Sequence, residues 1–204
     1  MLQNRVDPLG NLIRTKARGC WTGTRGVIHN DQQEIVRPFK LKAWLTCQLS
    51  FKERKRIIMS PNRYTELFFL DEATAFAAGH RPCCECRRND FNQFKSLWII
   101  GNPGFDFDKK TAIKKIDHVL HEERINKNQS KIFFNEKADQ IPNGTFILFD
   151  ENPYLVLNGL MLLWTPFGYN IGVKLPADLL TVITPKSIVN TFKAGYLPQI
   201  ANLP

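Results

Sequence analysis

The chain has no GxxxxGK[ST] phosphate loop, no GxGxxG dinucleotide fingerprint and no GxSxG nucleophile elbow, which sets aside the commonest nucleotide-dependent enzymes and serine hydrolases. Long apolar runs are missing as well. The stretch at 160–164, LMLLW, falls far short of the roughly 20 residues that a membrane-crossing helix needs. Near the N-terminus Asn4, Arg5, Asp7 and Pro8 stand where a secretory signal requires an apolar core, so a cytoplasmic location with reduced thiols is expected. Cysteine is scarce. There are five, an odd number, and three of them fall within residues 83–86, a distribution that points to metal ligands or core thiols instead of a disulfide framework. Acidic side chains are outnumbered, 19 Asp and Glu against 28 Lys and Arg, for a formal charge of +9. Such a balance points to a polyanionic partner, nucleic acid ahead of anionic lipid, because no amphipathic anchor or lipidation motif accompanies it.

What is present is an ordinary globular composition, 43% hydrophobic and 11% aromatic over 204 residues, enough for one sizeable core or two small ones. Residues 42–51 (KAWLTCQLSF) alternate as a strand, with Leu45, Cys47, Leu49 and Phe51 on one face and Trp44, Thr46 and Gln48 on the other. A charged turn at 52–56 followed by Ile57, Ile58 and Met59 suggests a hairpin with a basic tip. A strand is expected at 66–70, then a helix with Asp71 as N-cap and Gly79 as left-handed C-cap, then a second helix from Arg88 or Asn89 carrying Phe91, Phe94, Leu97 and Trp98. GNPGFDFD at 101–108 reads as a loop or boundary, and 111–126 as an amphipathic helix. Asn158-Gly159 between two apolar runs predicts a type I′ hairpin, and a strand at 179–183 and a helix at 185–194 follow. The similar AGHRP at 78–82 and AGYLP at 194–198 read as the same glycine-then-proline helix stop. The whole predicts an α+β fold of mainly antiparallel strands and hairpins, with a zinc-knuckle strand–helix unit and an amphipathic helix between two β-rich parts. These parts, residues 1–100 and 101–204, form either two units or one compact domain.

The densest chemistry lies at residues 66–88, where strand and helix run into Arg81-Pro82-Cys83-Cys84-Glu85-Cys86-Arg87-Arg88. Cys83 and Cys86 form a C-x-x-C pair, and two thiolates at that spacing on a tight turn can bind one tetrahedral ion. This run, with its DEATAFAAG helix and RPCCEC knuckle, resembles the metal-binding domain of the Ada-type DNA-alkylation repair proteins over about a ninth of the chain. The resemblance implies zinc as the cofactor, Cys83 and Cys86 as ligands, and a thiol that accepts a methyl group from DNA phosphate. The upstream cysteine pair of that family has no counterpart, since residues 48–66 contain no cysteine. The whole chain also resembles a group of bacterial proteins of similar length, a likeness that brings no activity with it.

The other ligands must come from elsewhere. Cys47 and His29 rank first, Cys20 next, with His80 and Cys84 as further candidates; adjacent thiolates such as Cys83 and Cys84 point apart in an extended turn. Lys52, Arg54, Lys55 and Arg56 at the hairpin tip, with Arg81, Arg87 and Arg88 beside the knuckle, can form a phosphate-contacting surface. The leading expectation is therefore a zinc-containing protein that binds nucleic acid, DNA in preference to RNA, with a structural metal. Two alternatives stand beside it. One is a nuclease or other nucleotide-acting enzyme using Arg25 and His29 of GTRGVIH, with His121 as general acid or base. The other is an Ada-like thiol acceptor. The segment His121-Glu122-Glu123-Arg124-Ile125 fails the HExxH pattern of zinc proteases.

Overall fold

The structure, a computed structural model, describes residues 1–53, 57–170 and 172–201. Six short strands form the first sheet: β1 (Arg5–Val6), β2 (Leu12–Ile13), β3 (Trp21–Thr24), β4 (Leu45–Cys47), β5 (Leu67–Phe69) and β6 (Arg81–Pro82), in the order β2-β1-β5-β3-β4-β6. β1 runs parallel to β5 and β4 parallel to β6, while the other neighbours are antiparallel. The second sheet is antiparallel throughout. Its strands are β7 (Phe134–Lys137), β8 (Phe146–Phe149), β9 (Asn152–Leu157), β10 (Leu160–Thr165), β11 (Gly168–Tyr169), β12 (Val173–Lys174) and β13 (Leu179–Val182). They are ordered β11-β10-β9-β8-β13-β7, with β12 also paired to β10. Four helices complete an α+β fold: α1 (Glu72–Ala77), α2 (Arg88–Gly101), α3 (Ile113–Arg124) and α4 (Lys186–Lys193). Among the described residues no helix is long and apolar enough to cross a membrane.

Local chemistry sets several of these boundaries. The Asp71 carboxylate accepts the Thr74 backbone N–H at 2.8 Å and starts α1. Gly79, at φ +83°, ends it: the Gly79 N–H reaches the Phe76 carbonyl and the His80 N–H the Ala75 carbonyl, a Schellman stop. α4 ends in the same way, with Gly195 bonded to Phe192 and Tyr196 to Thr191, so the AGHRP and AGYLP segments share a device. Asn158 and Gly159 at φ 51° and 76° make the two-residue hairpin between β9 and β10.

Two strand expectations are corrected. The strand at 42–51 shrinks to β4, with Trp44 and Thr46 buried while Leu45 and Cys47 are only half-buried, so the core takes the opposite face from the one holding Leu45, Cys47 and Leu49. Residues 57–59 form a turn with Met59 at φ 55° instead of a returning strand, because Met59 is buried while Ile57 and Ile58 face outward. In the 101–108 loop Gly101 is still helical, and the short turn Pro103–Phe105 brings Phe105 and Phe107 against Trp98 at ring distances of 5.3 and 5.7 Å.

The position of α1 decides the rest. Its Phe76 packs among Phe94 and Trp98 of α2, Ile116 and Leu120 of α3, and Ile188 and Phe192 of α4. Ala73 and Ala77, with Leu70, pack against Phe146, Leu155, Leu162 and Ile183 of the second sheet region. α1 is thus buried all round, and its two carboxylates face inward with partners. Asp71 also accepts from Tyr169 Oη at 2.8 Å, while Glu72 accepts from Tyr196 Oη at 2.9 Å and pairs with the guanidinium of Arg87 at 2.5 Å. Arg87 also bonds Asp90, which is about a third exposed, and lies 3.9 Å from the Trp21 ring centroid. Removing one member of a buried ion pair leaves an uncompensated charge, which typically costs about 3–5 kcal/mol, whereas a half-exposed partner contributes less than about 1. Glu72→Ala is therefore expected to lower unfolding free energy in urea by about 3–5 kcal/mol, and Asp90→Ala by less than about 1. Equal losses in the two variants would contradict this ranking.

Candidate metal centre

Cys47 and Cys83 are far apart in sequence and are brought together by strand pairing. β4 and β6 align in parallel, with Leu45 opposite Arg81 and Thr46 opposite Pro82, and the Cys83 N–H continues the ladder to the Thr46 carbonyl at 2.9 Å. One more residue along that register sets Cys47 beside Cys83. The C-x-x-C turn then adds Cys86, and the three Sγ atoms lie within 4.8 Å of one another. A tetrahedral zinc with Zn–S bonds of about 2.3 Å needs sulfurs about 3.8 Å apart, so small side-chain adjustments suffice to close the three around an ion.

The turn is built to hold thiolates. The Glu85 N–H points at Cys83 Sγ at 3.4 Å, and the Arg87 N–H closes the turn on the Cys83 carbonyl at 3.2 Å. Cys83 and Cys86 precede the first turn of α2, where the helix dipole favours negative charge. A hydrogen bond from the Cys47 thiol, aided by the backbone N–H groups of Cys86 and Glu85, pulls the Cys83 thiol down to about 5. Cys86 is lowered too, first by the bond from Cys47, with the Gln48 N–H assisting. Cys47, as the donor to both, is held protonated. Binding of a metal ion displaces the thiol proton that Cys47 holds between its neighbours.

Beside the sulfurs opens a groove of about 500 Å³. Leu45, Phe51, Tyr64 and Phe68 supply apolar and aromatic wall, Glu66 and Glu85 supply carboxylates, and Cys47, Cys83 and Cys86 sit together in the lining. Glu66 is anchored by the Met59 N–H at 2.8 Å. Tyr64, Glu66 and Phe68 did not stand out in the sequence as site residues. The one signal for them is alternation, since Leu67 and Phe69 take the core side of β5 and leave Glu66 and Phe68 to the groove.

The remaining sequence candidates are distributed differently. His29 is outside the sulfur cluster: its Nδ1 meets Thr65 Oγ1 at 2.6 Å and its Nε2 the Ser60 carbonyl at 3.2 Å, so both ring nitrogens are taken by structural contacts. Arg25 does not join it, bonding instead to His80 Nε2 and the Gly10 carbonyl. His121 accepts from Arg124 at 2.8 Å, and burial together with Arg124 and Lys42 pushes its imidazole down to about 4, too low for a general acid at neutral pH. The expected catalytic set of Arg25, His29 and His121 is thus not assembled. Cys20 and Cys84 are exposed and outside the cluster, and His80 is buried between Trp44 and Phe69.

Of the expected phosphate-contacting residues, Arg81 forks onto Asp117 at 2.6 and 2.8 Å and Arg87 is buried against Glu72, so both serve the interior. Lys52 and Arg88 are exposed, and Arg54, Lys55 and Arg56 lie outside the described residues.

The chain matches no family model, no curated protein and no solved structure. The geometry of the three sulfurs can therefore be tested only on the molecule itself. Protein purified without a metal-affinity tag is expected to carry about one zinc per chain by plasma mass spectrometry. Cys47→Ser, Cys83→Ser and Cys86→Ser should each lose most of it, while Cys84→Ser and His29→Ala should retain it. Retention by Cys47→Ser, or loss with Cys84→Ser, would assign the wrong sulfur.

Proposed function

We propose that this is a zinc protein in which Cys47, Cys83 and Cys86 supply three thiolates and the fourth coordination position faces the adjoining groove, where it receives a ligand. One observation carries this reading. The sulfurs converge at the wall of a cavity, and among the described residues no fourth Cys, His, Asp or Glu joins them within the same 4.8 Å limit. Closed structural zinc sites use four protein donors, whereas three donors leave a position that water or substrate can occupy. Soft sulfur donors favour zinc over calcium, magnesium or manganese. The aromatic and aliphatic walls suit a small organic body, and Glu66 offers a carboxylate for proton transfer.

The charge of such a centre narrows its chemistry. Three thiolates on a divalent ion leave about one negative charge, which makes the ion a modest Lewis acid and keeps its thiolates nucleophilic. The partly exposed Cys47 and Cys86 are then the thiolates placed to attack the alkyl carbon of an alkylated phosphate, forming a thioether as the phosphate leaves with the bonding electrons, in keeping with the Ada-type resemblance of residues 66–88. Cobalt substitution tests the open position. The visible spectrum of the cobalt form should indicate three sulfurs and one lighter donor, and should shift on addition of azide or 2-mercaptoethanol. A four-sulfur spectrum indifferent to both additives would sink the reading.

Nucleic acid remains the second reading, supported by the +9 charge and by the exposed Lys52 and Arg88. With Arg81 and Arg87 engaged inside, the surface has fewer cations than the sequence suggests, so binding through it should be weak and salt-sensitive. Arg88→Glu is expected to weaken DNA binding about threefold to tenfold, with affinity falling steeply as salt rises. Salt-independent binding, or none at low salt, would remove nucleic acid as the partner.

A further inference from the structure

A second cavity, of about 570 Å³, shares no lining residue with the cysteine groove. Arg25, Arg37, Arg124 and Lys131 line it, and no Asp or Glu does. Arg25 and Arg124 are 2% and 1% exposed, and their guanidinium carbons lie 3.9 and 3.8 Å from the Trp44 ring centroid. Lys131 is partly exposed as a residue, but its ammonium is enclosed and reaches the Ala77 carbonyl. Cations this enclosed normally pair with carboxylates. Here, among the described residues, their hydrogen bonds go to uncharged acceptors: Arg25 to Gly10 O and His80 Nε2, and Arg124 to Gly79 O, Lys42 O and His121 Nδ1.

The acids that act on the cluster do so from a distance. Asp7 offsets Arg25 and Lys131, but its carboxylate is bonded to Asn11, and Asp117, which offsets Arg124, is forked onto Arg81. Capping of the α1 carbonyls explains the contacts of Arg124 and Lys131 with Gly79 and Ala77. It does not explain the atoms left over. Arg25 Nη2 and Arg124 Nε are buried without a hydrogen-bond partner. Burial, with the repulsion of Arg25 and Arg124, also pushes the Lys131 ammonium down to about 7, a strain that a bound anion relieves.

We infer that this cavity is a phosphate-recognition site, in which Arg25, Arg124 and Lys131 hold the oxyanion of a phosphoryl group, free or carried as a monoester by a small molecule resting on Leu9, Ile35 and Phe133. With Lys131 protonated in the bound state, three cations offset by Asp7 leave about two positive charges, which matches a phosphate dianion better than a lone carboxylate. The guanidinium planes provide fixed N–H donors and Lys131 a mobile one. Arg37, exposed at the lining, attracts the anion from solution. The site does not depend on the zinc reading, since it uses none of the same residues.

The test is thermal unfolding and calorimetric titration of the full chain with sodium phosphate and with ribose 5-phosphate, against sodium chloride at equal ionic strength. Both phosphates should raise Tm beyond chloride, with tighter binding of the ester identifying a metabolite and equal binding identifying free phosphate. Lys131→Met should raise the Tm of the ligand-free protein by removing an enclosed cation, while weakening phosphate at least tenfold. Arg37→Ala, at an exposed position, should fold normally and weaken phosphate about twofold to fivefold. Three results would overturn the site: no phosphate effect beyond chloride in the wild type, an undiminished effect in Lys131→Met, or citrate binding as tightly as phosphate.

Discussion

The C-terminal turn of α1 is the point from which both candidate sites are built. Gly79 occupies a positive φ there, and a β-carbon on it would stand 2.5 Å from Cδ of Arg124. Only glycine satisfies both the backbone conformation and the close approach. From this turn the chain proceeds through His80 into β6, and β6 carries Cys83 to Cys47. The carbonyls of the same turn, at Ala77 and Gly79, receive Lys131 and Arg124, which form one wall of the anion cavity. A short helix stop thus sets the origin for a sulfur cluster on one side and a cation cluster on the other.

Four arginines among the 28 basic side chains are drawn inside the molecule. Arg25, Arg81, Arg87 and Arg124 are all buried, each with its planar group laid over an aromatic ring: Arg25 and Arg124 on Trp44, Arg81 near Phe91 and Arg87 on Trp21. Guanidinium is suited to this role because it stacks and donates in a fixed plane while being less strongly hydrated than an ammonium. Two of these four are neutralised by carboxylates, Arg81 by Asp117 and Arg87 by Glu72. Arg25 and Arg124 are not, and that difference separates cations that hold the fold from cations available to a ligand.

The fold class and most helix boundaries could be read from the sequence because they depend on local signals: Asp71 and Gly79 around α1, Asn158-Gly159 in the hairpin, and the helical spacing of Phe91, Phe94 and Trp98. The knuckle could be read for the same reason, as Cys83 and Cys86 are neighbours in sequence. From sequence Cys47 is a candidate ranked level with His29 and no higher, because its place is set by a parallel pairing between distant short strands, which leaves no periodic trace. His29, Arg81 and Arg87 are engaged by partners that composition does not reveal. Thr65 and Ser60 occupy the imidazole, while Asp117 and Glu72 draw the arginines inward. The cation cavity is half visible, in that the sequence singles out Arg25 as a residue able to act on a nucleotide. Its companions Arg124 and Lys131 come from a helix end and a loop far along the chain.

The segment at residues 199–201 sets an order on assembly. Glu72 accepts the backbone N–H of Gln199 at 3.0 Å and Asp71 that of Ala201 at 3.2 Å, while the Glu72 N–H returns to the Gln199 carbonyl. The buried carboxylates at the start of α1 are therefore completed by residues 127 and 130 positions further along the chain. Until that segment docks, Asp71 and Glu72 lack part of their hydrogen-bond complement, and the helix that aims the cysteine turn is incompletely fastened. The cysteine turn is accordingly held in register only after this long-range contact has formed, so the ordering of the three sulfurs follows the docking of residues 199–201 instead of preceding it.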